Sequence, residues 1–312
     1  MACRGDGDGA CVFLDRLGDE RLAAKAASIG SEPHGRGVGQ AWHLALLETL
    51  GYSSNRGAMR RLAETVDLRT VEAISHSATD DSAAETDLFA HVMFAAGLGD
   101  YPRSRGGIAV PPLRRGDWNL LGQRPLNRPE RRLTGFARLL GRSRFDTLWV
   151  AIPELVRAGG LDDPLATGLR LIDLLRVDRS HVPAIVTTYQ DTPRSIEFWR
   201  LWPQSTQMGI RAGAPLIGRD RAALVAVNAA LPFCLTVADA RADQVLWRAT
   251  WSVWHRFPRA GTNWIIAETR SLLHGTPLRT ARREQGLIGL YHRCCQERRC
   301  ATCARSEVLV AV

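Results

Sequence analysis

Apolar residues recur at helical spacing along most of this chain, and nearly every such stretch is bounded by a residue that starts or stops a helix. Asp67 and Asp163 stand where an N-cap is needed, Pro129 and Pro164 fit a first helical position, and Gly97, Gly141 and Gly275 close their segments. Gly51 ends a stretch whose inner face carries Trp42, Leu46 and Leu50, and is expected to be a left-handed cap. No stretch shows sustained alternation of apolar and polar residues. The pattern therefore predicts an all-α, multi-helix, bundle-like domain with long loops rich in Pro, Gly and Arg and a cysteine-rich C-terminal tip.

The order along the chain is a disordered tail over 1–11, a helical subdomain over 12–98, a basic loop or linker over 99–128, a second helical subdomain over 129–303 and a tail over 304–312. The first helix should begin at Val12. Residues 177–216 hold no sustained period, with an extended piece near 184–189 and an aromatic knot at Phe198, Trp199 and Trp202. The most apolar helix contains Pro232, where a kink is expected.

A chain of 312 residues buries enough surface to need no disulfides. Its net charge of +9 favours polyanionic partners. Lys25 is the sole lysine and every other base is arginine, a bias that coding composition or phosphate recognition would each produce. From Arg103 to Arg144 eleven arginines face only Asp117 and Glu130. Arg114, Arg115, Arg124, Arg128, Arg131 and Arg132 form the candidate nucleic-acid-binding set, the last four crowding the start of the helix that Pro129 opens. The competing account is a solvated face, with arginines paired to acidic residues elsewhere. The first ten residues lack the apolar core of a secretory signal, and the run from Ala222 to Ala238 falls short of the ~20 residues a membrane helix needs. These features predict a cytoplasmic protein with no membrane partner.

Four of the seven cysteines lie in the last helix and just after it. Cys295, Cys300 and Cys303 have C-x4-C-x2-C spacing, which suits zinc or an iron–sulfur cluster, with His292 or a side chain from elsewhere as the fourth ligand. Reduced thiols and a redox pair remain open. Cys294 is a poor ligand beside Cys295 and should face the apolar side of its helix.

Other chemistry is scarce. No nucleophile elbow, Walker lysine or helical zinc-protease pair occurs. His43, His76 and His91 lack ligand spacing and should be structural, and Asp80-Asp81 and Asp162-Asp163 read as caps. Trp247, Trp251 and Trp254 share a helical face and should be core, with base stacking as the alternative.

The segments WNLLGQRPLNRPERRLTGFARLL, LIGRDRAALVAVNAALPF and ARREQGLIGLYHRCCQERRCATC resemble the C-terminal part of an uncharacterised bacterial family catalogued as domain of unknown function 2851; LLETLGYSSNRGAMRRLAE resembles the block before it. The family pattern falls on Gly51, Tyr52, Asn55 and Arg56; on Arg124, Pro125, Asn127, Pro129 and Arg132; on Asn228, Pro232, Pro258 and Asn263; and on Gln285, Gly286, Leu287, Tyr291, Cys295, Cys300 and Cys303. The resemblance implies a further N-terminal segment, with acidic and histidine residues suggestive of a metal-dependent nuclease core, that has no counterpart here. It confers no established activity, and it makes a separate catalytic segment or subunit an expected partner.

Three functions fit this pattern: a non-catalytic nucleic-acid-binding module of a nuclease-like protein, an enzyme using the 99–128 loop with Asp117 or Glu130 on an anionic small molecule, and a scaffold with structural zinc.

Overall fold

A computed structural model describes residues 7–31, 37–98, 113–120, 128–143, 147–178, 215–261, 263–269 and 277–298. The protein is all-α. Among the described residues there is no strand, only isolated bridges between Val177 and Ile217 and between Pro258 and Thr280. The 184–189 piece, the aromatic knot, Arg124, Cys300 and Cys303 lie outside the described residues.

The chain forms two compact units that are not sequential. A central unit comprises Pro33–Ala151 and Leu174–Val225; a terminal unit comprises Met1–Glu32, Ile152–Asp173 and Ala226–Val312. The expected subdomains followed chain order, whereas the first helix packs with the last.

In the terminal unit, α1 (Gly7–Gly30) starts earlier than its apolar spacing suggested, with Ala10 and Cys11 buried. The unit also holds most of α7 (Leu148–Gly159) and α8 (Pro164–Leu175). Asp163 caps α8 by accepting from the Ala166 amide at 2.9 Å. Phe13, Leu14 and Leu17 of α1 meet Leu287, Ile288 and Leu290 of the last helix, Ala281–Leu290. Two glycines permit the approach. A Cβ on Gly286 would lie 1.9 Å from the Leu14 carbonyl oxygen, and one on Gly18 would lie 2.2 Å from that of Arg282. Beside this seam Asp15 and Asp19 accept from Arg283 and Arg282, and Trp254 Nε1 donates to Asp19 at 2.9 Å.

The continuous helical stretch Arg219–Arg241 is 23 residues long, longer than the apolar run read from sequence. Its length and composition would let it cross a membrane, but 78% of its apolar window is buried in the fold, as in the core helix of a globular protein. Ahead of Pro232, where the sequence led us to expect a kink, the helix widens into a π turn at Ala226–Ala230. Proline has no N–H to give the Asn228 carbonyl and its ring crowds that oxygen, so one wider turn relieves the clash. Asn228 Oδ1 then accepts from Lys25 Nζ, which also donates to Gln285 Oε1 at 2.9 Å.

The tryptophan face divides. Trp254 is fully buried, Trp251 is half-buried and Trp247 is 40% exposed, so the expected core role holds for Trp254, in part for Trp251, and not for Trp247. The three positions fan across the edge of the buried sector instead of sharing its centre.

The central unit holds α2 (Gly37–Leu50), α3 (Tyr52–Thr65), α4 (Leu68–Ser77), α5 (Asp81–Ala95), α6 (Pro129–Gly141) and α9 (Arg219–Val225). Trp42, Leu46 and Leu50 are buried with Met59, Leu62, Leu88 and Phe136. Asp67 and Asp80 cap α4 and α5 by accepting from the Thr70 and Ala83 amides, as their positions suggested. His43 is structural: Nε2 donates to the Val66 carbonyl at 2.7 Å, and burial lowers its pKa to about 4.

Candidate anion-binding site

In the central unit Arg132, a candidate from the sequence, and Arg221, which the sequence did not single out, both lie over the ring of Tyr52. Gly51 joins α2 to α3 without an intervening loop. It is not left-handed: its φ is −74°, and it is glycine because a Cβ would sit 2.7 Å from the Asn55 carbonyl oxygen. The left-handed residue is Tyr52, with φ +54°. A bulky side chain seldom adopts this conformation, which costs roughly 1–2 kcal/mol and persists only where the surroundings enforce it.

Two guanidinium groups lie over that ring. The Arg221 carbon is 3.3 Å from the Tyr52 centroid and the Arg132 carbon 4.9 Å. Arg132 Nη2 also donates to Tyr52 Oη at 2.5 Å, and its Nη1 donates to the Leu216 carbonyl at 3.4 Å. Arg131 donates to the Pro215 carbonyl at 2.5 Å. Arg131 and Arg132 are 2% and 5% exposed, because every residue of α6 is buried. The sequence placed them on an exposed basic surface with Arg124 and Arg128. The structure instead turns these two inward onto backbone carbonyls and Tyr52, while Arg128 is half-buried and Arg114 and Arg115 are exposed.

Arg221 was missed at the sequence level. Its signal was its position: it lies one turn before the buried Val225 and directly ahead of the buried Ala222 and Ala223. It makes no ion pair among the described residues, and its Nε is buried without a hydrogen-bond partner. Desolvation pushes its pKa down to about 9, and that of Arg132 down to about 10. Both remain cations at neutral pH, so the folded protein carries their desolvation cost, set against the attraction of the Tyr52 ring.

The two carboxylates of the basic segment have structural roles. Asp117 accepts from the Arg114 amide at 2.7 Å and pairs with Arg61 at 3.0 Å. The amide hydrogen bond, more than the arginine, holds its carboxyl below the usual range. Glu130 is buried in the first turn of α6, with Arg128 at 3.9 Å, and supplies the negative charge that the helix N-terminus favours. The N-terminus expected to attract an external anion therefore has an internal one.

At the cysteine tip, Cys294 is buried in the apolar cluster with Leu287 and Leu290, the packing role its position suggested. Cys295 is half-buried and packs against the same cluster. His292 Nδ1 donates to Gln296 Oε1 at 2.9 Å. Among the described residues no three His, Cys, Asp or Glu side chains gather as a metal site.

No family model matches the chain, and neither a curated protein nor a solved structure matches it significantly.

Proposed function

We propose that this chain is a non-catalytic module that binds phosphate groups of nucleic acid, with the stack of Arg221, Tyr52 and Arg132 as a fixed phosphate site in the central unit. The supporting observation is Arg221. A largely buried guanidinium with no carboxylate partner among the described residues and an unbonded Nε is incomplete by itself, and a phosphate offers the bidentate oxygen pair that completes it. Tyr52 orients the fork through its ring. Arg114 and Arg115, exposed in the same unit, add charge for a longer anion. A separate catalytic segment or subunit remains the partner that the family resemblance implies.

A second reading follows from the seclusion of Arg221: a small phosphate ester, bound alone, would fit the same cations. Calorimetric titration with pyrophosphate and with a 5′-phosphorylated oligonucleotide over a salt series tests both. The nucleic-acid reading expects the oligonucleotide to bind more tightly and to lose affinity steeply as salt rises. Tighter pyrophosphate binding with a shallow salt slope would establish the small-molecule reading, and binding of neither ligand would refute both.

The zinc or iron–sulfur proposal rests on Cys295 with Cys300 and Cys303. Elemental analysis of protein purified without oxygen tests it; a preparation free of zinc and iron would end it.

A further inference from the structure

The terminal unit carries an aromatic ladder that runs into a basic groove. Its outermost ring is Trp264, the first residue of the short helix Trp264–Thr269. Ile265 and Ile266 are buried in the core cluster, and the Asn263 side chain caps the helix by accepting from the Ile266 amide at 2.9 Å. With those two isoleucines fixed inward, helical geometry turns Trp264 outward, where 61% of it is exposed. Its ring meets Tyr291 edge-to-face at 5.3 Å, and Tyr291 meets His292 at 5.5 Å.

A second π turn, at Tyr291–Cys295, sets the inner end of the ladder. The Gln296 amide bonds the Tyr291 carbonyl at 2.8 Å, five residues back. This wider turn presents His292 and Arg293 to α1, across a groove of about 400 Å³. Ala24 and Gly289 leave room in it, and Arg21 and Arg293 line it. Arg293 pairs with Glu20 at 2.9 Å, but it is 58% exposed, and an exposed pair of this kind is weak enough to yield to a phosphate. Arg16, also near Glu20, keeps the groove's charge balance positive.

We infer that this ladder and groove bind an unpaired nucleobase and its adjoining phosphate: a base stacks on Trp264 and the phosphate that follows enters the groove at His292, Arg293 and Arg21. Rings that are exposed at one end and basic at the other match single-stranded nucleic acid, whose bases offer their faces, and not a duplex, whose bases are already stacked. The inference deepens the nucleic-acid reading by naming the strand state, but it rests on residues of the other unit.

The test uses the full chain and two fluorescent probes of equal charge, a thymidine oligonucleotide of about ten residues and an abasic strand of the same length. The thymidine strand should bind about tenfold more tightly than the abasic one. Trp264→Ala should erase that difference, whereas Trp264→Phe should keep most of it. Arg293→Gln should weaken both probes and reduce the salt slope by about one. Circular dichroism melting of each variant confirms the fold, which an exposed side chain should barely affect. Equal binding of the two probes by the natural protein, or an unchanged preference in a folded Trp264→Ala variant, would overturn the inference. Loss of pyrophosphate binding on replacing Arg221, with the base preference intact, would show the two sites to be separate.

Discussion

Arg221 rests its guanidinium carbon 3.3 Å from the ring centroid of Tyr52, and Tyr52 holds a left-handed backbone at the junction of α2 and α3 to receive it. A strained aromatic residue and a desolvated cation are both costs to the folded state. The proposed anion would offset only the second of these, the desolvation of Arg221; the strain at Tyr52 is sustained by the packing around it.

Arg221→Met separates stability from binding. Replacing a buried charge with an apolar side chain of similar length often leaves stability unchanged or raises it, here by about 1 kcal/mol. The variant should melt no lower than the natural protein and lose pyrophosphate binding. A lower melting temperature with binding intact would make Arg221 a structural residue.

His43 and Glu85 should give the central unit opposed pH dependences. Burial lowers His43 to about 4, so at intermediate acidity the unfolded chain is protonated there and the folded chain is not. Its contribution is complete above the ordinary value of 6.5 and lost as pH falls toward 4, worth roughly 3 kcal/mol at full extent. Burial raises Glu85 to about 7, despite Arg138 at 3.5 Å. Its contribution is complete below the ordinary 4.5 and lost as pH rises through 7. Urea midpoints measured across this range should show the acid-side loss reduced in His43→Gln and the neutral-side loss reduced in Glu85→Gln. Parallel profiles for both variants and the natural protein would contradict the assignment.

Gly286→Ala should be among the most damaging single-methyl changes in the chain. The added carbon would lie 1.9 Å from the Leu14 carbonyl oxygen, and two helix backbones would have to part, at a cost of about 3 kcal/mol or more. Gly57→Ala is the control. Gly57 is exposed within α3 with nothing in reach of a new methyl, so helix propensity should raise stability by roughly 0.5–1 kcal/mol. Chemical denaturation of the pair checks both signs.

Thiol reactivity should separate adjacent residues. Cys294 and Cys234 are buried, and burial pushes the Cys234 thiol up; Cys295 is only half-buried. Peptide mapping after brief alkylation of the native protein should find Cys295 modified well before Cys294 or Cys234. Equal labelling of Cys294 and Cys295 would place the last helix differently.

Much of the local structure was legible in the chain. Asp67, Asp80 and Asp163 cap the helices they were expected to cap, Trp42, Leu46 and Leu50 line one buried face, and Cys294 packs inward beside Cys295. These outcomes depend on neighbours within a turn or two, so periodicity and cap chemistry suffice. What tertiary structure decided was the direction of charge. The sequence shows arginines crowded around Pro129 but not that α6 is buried on every side, which turns Arg131 and Arg132 onto the Pro215 and Leu216 carbonyls. Nor does it show that Arg221 meets Tyr52, or that α1 joins the last helix through Gly18 and Gly286. Those partners lie far apart in sequence, and only the packing of whole helices brings them together. Helical spacing fixes which side of a helix a residue occupies; what that side faces depends on every other helix in its unit.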